Sequence, residues 1–197
     1  MTLVPTSANT SLDISSRALI LIGAEPISSF DDGTTEAQVC VNLYEDVARS
    51  SLTNTRWRFS TNQATLNQLT DAPTGRYDLA YQLPNDTLML HAVTVNDNLL
   101  EYQIYGDKVY ADSASTDTVI ADYTYRATEE TWPSYFTLAV EFSLAVILAT
   151  SIARDSALAQ LMTVRADGAM AKARSLDSQQ QTTRKLETSR FLTARRS

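Results

Sequence analysis

His91 and Cys40 are each the only residue of their kind in the chain, and that scarcity limits the chemistry it can do. A hydrolytic triad needs a serine on a nucleophile turn, a histidine and an acid to orient it. His91 instead lies between Leu90 and Ala92 in a strand-like run, and no G-x-S-x-G occurs. One histidine and one cysteine do not make a zinc site, and the acids are not spaced as a calcium loop. Three acidic pairs stand out, Asp31-Asp32, Glu45-Asp46 and Glu129-Glu130. Paired carboxylates across a cleft can hydrolyse glycosides, so a cell-wall hydrolase is the enzymatic alternative. Neighbours in sequence are better explained as turn and capping residues, and the expectation is no catalytic residue, no metal and no cofactor. Arg56, Trp57, Arg58 and Tyr77 could form a stacking platform for nucleic acid, but the same alternation is what a half-buried strand shows.

Charge is unevenly placed. From Lys172 onward seven basic residues face two acidic ones, a net of +5, so the preceding part carries −12 of the overall −7. An acidic body repels nucleic acid and anionic membranes, whereas a basic tail can reach either, or an acidic protein. With 44% hydrophobic residues the chain can bury a sizeable core. Five glycines are few for this length, which disfavours a glycine-rich phosphate loop, and neither G-x-x-x-x-G-K nor G-x-G-x-x-G is present. The lone cysteine points to folding in a reducing cytoplasm. The start MTLVPTSANTS lacks the basic and apolar regions of a signal peptide.

The elements that must position these residues come from periodicity. Leu12, Ile14, Ala18, Leu19, Leu21 and Ile22 recur at helical spacing, with Ser11 or Asp13 placed to cap the start. Gly23 then ends the helix and Pro26 prevents its resumption. Thr34 caps a second helix, Thr35 to Leu52, on a stripe of Ala37, Cys40, Val41, Tyr44 and Val47. "NTRWRFS" reads as a strand, with Trp57 and Phe59 on one side. From there to Arg126, β-branched and aromatic runs alternate with turns, the clearest being the hairpin EYQIYGDKVYAD about Gly106-Asp107. Pro133 suits the first position of a third helix, Ser134 to Arg154, apolar on nearly every face. Its length and its Glu141, Ser143 and Thr150 favour a buried helix over a membrane span. A fourth, alanine-rich helix runs from about Ser156 to Leu176.

These elements imply an α+β fold: a four-helix-bundle-like α domain with an inserted antiparallel β module and a polar C-terminal arm. The divisions are 1–55 and 131–176 for the helices, 56–130 for the β module, and 177–197 for the basic arm. In the arm, Arg184, Lys185, Arg190, Arg195 and Arg196 supply charge, and Phe191 and Leu192 supply apolar anchors.

The first third of the chain resembles the tail tubular protein A family, the head-to-tail adaptors of short-tailed bacteriophages. The resemblance rests on a helix ending in I-G-x-E-P-I/V-S-S/T, here Ile22, Gly23, Glu25, Pro26, Ile27, Ser28 and Ser29. A second helix and a W-x-F segment, Trp57-Arg58-Phe59, follow. The resemblance is specific over residues 12 to 60 and architectural beyond. It implies a structural virion protein without catalysis, a dodecameric ring between the portal protein and the tail nozzle protein. DNA would pass through its lumen, with no membrane involved. The arm would anchor the ring to the portal. A siphophage-type head completion protein and a DNA-binding packaging accessory are the alternatives.

Overall fold

Thr10 opens the first helix, because its hydroxyl accepts the Asp13 amide at 3.1 Å and satisfies a donor the helix cannot. The cap is thus one residue before the Ser11 suggested by the pattern. The computed structural model describes residue 8 and residues 10–70 and 75–180. Its helices are α1 (Ser11–Leu21), α2 (Thr35–Thr53), α3 (Ser134–Ser151) and α4 (Ser156–Ser178). Between α2 and α3 come β1 (Thr61–Thr65), β2 (Asn67–Gln68), β3 (Leu79–Gln82), β4 (Thr87–Val95), β5 (Asn98–Leu99), β6 (Tyr102–Tyr105), β7 (Lys108–Ala111) and β8 (Val119–Tyr125).

The strands make two antiparallel four-stranded sheets, ordered β1-β8-β4-β5 and β2-β3-β7-β6. β1 and β2 are consecutive in the chain, so one segment serves both sheets, with Leu66 between them buried. Leu66, Tyr81, Val93, Val109, Val119 and Ala121 fill the space the sheets enclose. The β6–β7 hairpin forms as expected, its two-residue turn relying on Gly106 at φ +64°. The β4–β5 turn places Asn96 and Asp97 at φ +49° and +63°, residues that tolerate this region.

The α+β class expected from the sequence holds. Among the described residues the helical part is organised about one central helix, α3, which touches each of the other three, and the expected four-helix-bundle-like arrangement is not evident. α3 is the one described helix long and apolar enough to cross a membrane. Half of it is buried inside this protein, its neighbours enclosing Phe136, Val140, Leu144 and Leu148.

Two boundaries differ from expectation. Pro133 precedes α3 as its cap residue, at φ −63° and ψ 146°, because ring closure fixes only φ and leaves ψ free to be extended. α3 ends at Ser151, and Arg154 turns the chain at φ +53°. Asp155 then caps α4 by accepting the Ala157 and Leu158 amides at 2.9 and 3.0 Å.

A larger difference concerns Trp57 and Phe59. Arg58–Ser60 is a short 3-10 turn, and the strand begins only at Thr61. Two aromatic rings two residues apart share one side in a strand, but here both must reach Phe136 on α3. Their centroids lie 5.0 and 4.8 Å from its ring. The turn satisfies that demand, while Trp57 Nε1 donates to the Ser51 carbonyl at 2.9 Å.

The end of α1 is closed by backbone hydrogen bonds from Gly23 to Ile20 and from Ala24 to Leu19, both at 3.0 Å, with Gly23 at φ +78°. A Cβ there would meet no atom within 4 Å, so the objection to a side chain is conformational rather than steric crowding. Gly23→Ala is therefore expected to lower unfolding free energy by about 1 kcal/mol and Gly23→Asn by less. Equilibrium denaturation of the two variants measures this.

Candidate functional site

The segment from Gly23 to Gly33 is a corner built from its own polar groups. Beyond Gly23, Ile27 is buried and Phe30 packs on the helical core, which pins the connection from inside. Asp32 closes it from outside. Its Oδ2 accepts the Ser28 and Ser29 amides at 2.9 and 3.0 Å and the Ser28 hydroxyl at 3.0 Å. Ser29 in turn accepts the Asp31 amide at 3.1 Å. Gly33 at φ +70° then sends the chain into α2, whose cap Thr34 accepts the Ala37 amide at 3.2 Å. Pro26 and Glu25 are exposed, and Glu25 has no hydrogen bond or ion pair among the described residues.

Gly23, Glu25, Pro26, Ser28 and Ser29 therefore sit on one solvent-facing corner, with Ile27 as its inward anchor. Trp57 and Phe59 lie elsewhere in the same helical core, joined by Trp132, whose ring is 4.9 Å from Phe136. Arg184, Lys185, Arg190, Phe191, Leu192, Arg195 and Arg196 lie outside the described residues.

The acidic pairs do more than cap and turn. Glu45 and Glu129 converge on Arg126 at the end of β8, at 2.9 and 2.7 Å. Burial works to lower the Arg126 pKa, but the hydrogen bonds it donates to Glu45 and Glu129 overcome this and raise it. Tyr44 donates to Glu129 at 2.9 Å, and the guanidinium stands 5.4 Å over the Trp132 ring. The cluster ties α2 to the sheet across 81 positions of sequence, and no local pattern announces it.

The sequence pattern places Asp177 first in the polar arm, but α4 runs to Ser178 and Asp177 is buried on it. It accepts the Arg58 amide at 3.2 Å and the Tyr135 hydroxyl at 3.0 Å, and its carbonyl accepts from Arg58 Nε at 3.0 Å. Burial and this carboxylate push the Tyr135 hydroxyl up to about 12. A signal was present, because Asp177 continues the buried stripe Ala159, Met162, Ala166, Met170 and Ala173 at helical spacing.

Chemistry is sparse elsewhere. His91 Nε2 lies 2.7 Å from the Thr124 hydroxyl in the β4–β8 pairing, and burial lowers its pKa. Cys40 is buried, which raises its thiol to about 11 and leaves it protonated at neutral pH. Arg56 pairs with Asp122 at 3.2 Å, while Trp57 is enclosed in the core, so the two do not form a stacking surface.

A family model described as tail tubular protein matches residues 12–129. The chain belongs to that family. The match starts one residue inside α1 and takes in the hinge, α2 and both sheets. This tail tubular protein is thus a structural protein of the phage virion tail, a class in keeping with the expectation that it is not an enzyme. Comparison with curated proteins gives no match.

Two polar contacts of this tail tubular protein can be tested directly. Backbone hydrogen bonds from Ser29 and then Ser28 lower the Asp32 pKa below its usual 3.8. A carboxylate with a depressed folded pKa stabilises the fold above its unfolded pKa and loses that effect as pH falls through the folded one. The stability gap between wild type and Asp32→Asn should therefore be full at pH 7 and close in the acid range below the usual value. Thermal melts across pH measure it. Asp177→Ala leaves donors from Arg58 and Tyr135 without their acceptor and should cost about 2 kcal/mol in denaturant unfolding.

Proposed function

We propose that this protein is a head-to-tail adaptor, copies of which stand side by side as a dodecameric ring between the portal and the tail nozzle. The observation that carries the reading is the tail tubular family match over residues 12–129, which contains the whole hinge. Physical features support it. Ile20, Val41, Leu161 and Val164 are apolar and exposed on α1, α2 and α4, the surfaces that lateral neighbours in a ring would cover. The hinge sets how α1 meets α2, and exposed Glu25 is available for a contact between copies. The acidic body, −12 before Lys172, suits a lumen through which DNA slides, because basic contacts would add affinity and friction.

In this reading the chain is made in the host cytoplasm and joins the virion at the neck. The basic segment anchors it to the portal, through the charges of Arg184, Lys185, Arg190, Arg195 and Arg196 and the apolar Phe191 and Leu192.

Electron microscopy of the protein mixed with its portal should show a collar with the portal's symmetry. Absence of association would overturn the reading. Truncation after Gln180 should weaken portal binding by about tenfold or more, the equivalent of about 1.4 kcal/mol. Duplex DNA should not be retained by the protein at physiological salt; steep salt-dependent retention would favour a packaging accessory instead.

A further inference from the structure

α4 packs on α3 with Met162, Met170 and Ala173 buried in the helical core. On its opposite side Ala157, Leu161, Val164, Gly168, Ala171 and Ser175 are all exposed. They recur at alternating steps of four and three residues, the spacing with which one helix meets another along a seam. No charged residue interrupts the seam, and its two large apolar members stand well clear of the body, Val164 at 72% and Leu161 at 48% exposure.

Gly168 is the informative member. A glycine inside a helix costs about 1 kcal/mol relative to alanine. Nothing within the chain calls for it, because a Cβ there would meet no atom within 4 Å and its φ is not positive. A bare backbone midway along an exposed apolar seam is instead where a second helix can approach most closely, at the short end of the roughly 8–10 Å range of helix separations.

Charge selects the second helix. Arg165 and Lys172 border the seam on one side, and Gln160, Asp167 and Arg174 on the other. The four charged groups have no ion pair or hydrogen bond among the described residues. When two copies of α4 lie side by side, parallel and in register, Asp167 of each comes opposite Lys172 of the other, giving two attractions and no like-charge meeting. When they run antiparallel with Val164 against Gly168, Asp167 meets Asp167 and Arg165 meets Arg165. Shifted seven residues from there, Asp167 gains Arg174 but Arg165 meets Lys172.

We propose that the unassembled protein pairs through α4 with a second copy of itself, the two helices parallel and closest at Gly168, with Asp167 of each copy reaching Lys172 of the other. The pair covers Leu161 and Val164, part of the surface that ring neighbours would use, so building the ring requires it to separate. This goes beyond the adaptor reading and depends on no portal contact, so the collar experiment and this one can each fail alone.

Sedimentation equilibrium of the full-length protein tests the proposal. The wild type should dimerise, and Asp167→Lys or Lys172→Asp alone should weaken the dimer by about tenfold or more, whereas the double exchange should restore it. All of these positions are exposed, so the variants keep the fold, and thermal midpoints verify this. Gly168→Ala separates the two roles of that residue: it should raise the thermal midpoint of the dilute, monomeric protein while weakening dimerisation by about tenfold. A Gly168→Ala variant that dimerised as tightly as wild type, or a double exchange no tighter than its single variants, would overturn the proposal. So would a wild type that stayed monomeric at millimolar concentration. If truncation after Gln180 then released dimerisation, the chain's own terminal segment would be the occupant of α4 instead.

Discussion

A helix with apolar side chains on nearly every face has to be enclosed, and α3 is that helix. Burying Phe136, Val140, Leu144 and Leu148 takes α1, α4 and α2 together, since each can cover only one strip of its surface. Phe136 also gathers Trp57, Phe59 and Trp132, so the segment leaving α2 and the segment entering α3 converge on one ring. The β module is consequently held at both its entry and its exit by the same aromatic cluster. The requirement to cover α3 fixes where the sheets can attach.

Polar contacts then join what apolar packing leaves separate. The helices and the sandwich have distinct cores, and Arg126 crosses between them with Glu45 on α2 and Glu129 before α3. Asp177, at the far end of α4, joins α4 to α3 and to the turn before β1, satisfying Arg58 and Tyr135 at once. In both clusters one charged side chain serves several donors or acceptors, so its neighbours are fixed relative to one another. Networks of this kind define a geometry more sharply than they add to stability.

Much of this was legible in the sequence, and what was not has definite causes. Gly23, Pro26 and Thr34 act through local backbone preferences, so the hinge and the start of α2 could be read from residue types alone. The Gly106-Asp107 hairpin was legible for the same reason. Trp57 and Phe59 misled because their alternation matches a strand, whereas the backbone there follows the demand that both rings reach a distant Phe136. β1, with the sequence TNQAT, carries no apolar alternation and is a strand only because β8 pairs with it. Arg126 and Asp177 depend on partners brought in by the tertiary fold, although the helical stripe of α4 did point to Asp177.

The corner between α1 and α2 has one more implication. Its shape comes entirely from within the chain, from the Gly23 and Ala24 amides on α1 and from Asp32 drawing in Ser28 and Ser29. A loop that took its form only on meeting a neighbour would surrender conformational entropy at every contact made during assembly. Here that ordering belongs to folding. The corner is preorganised, so any association through it need only supply the free energy of bringing rigid surfaces together.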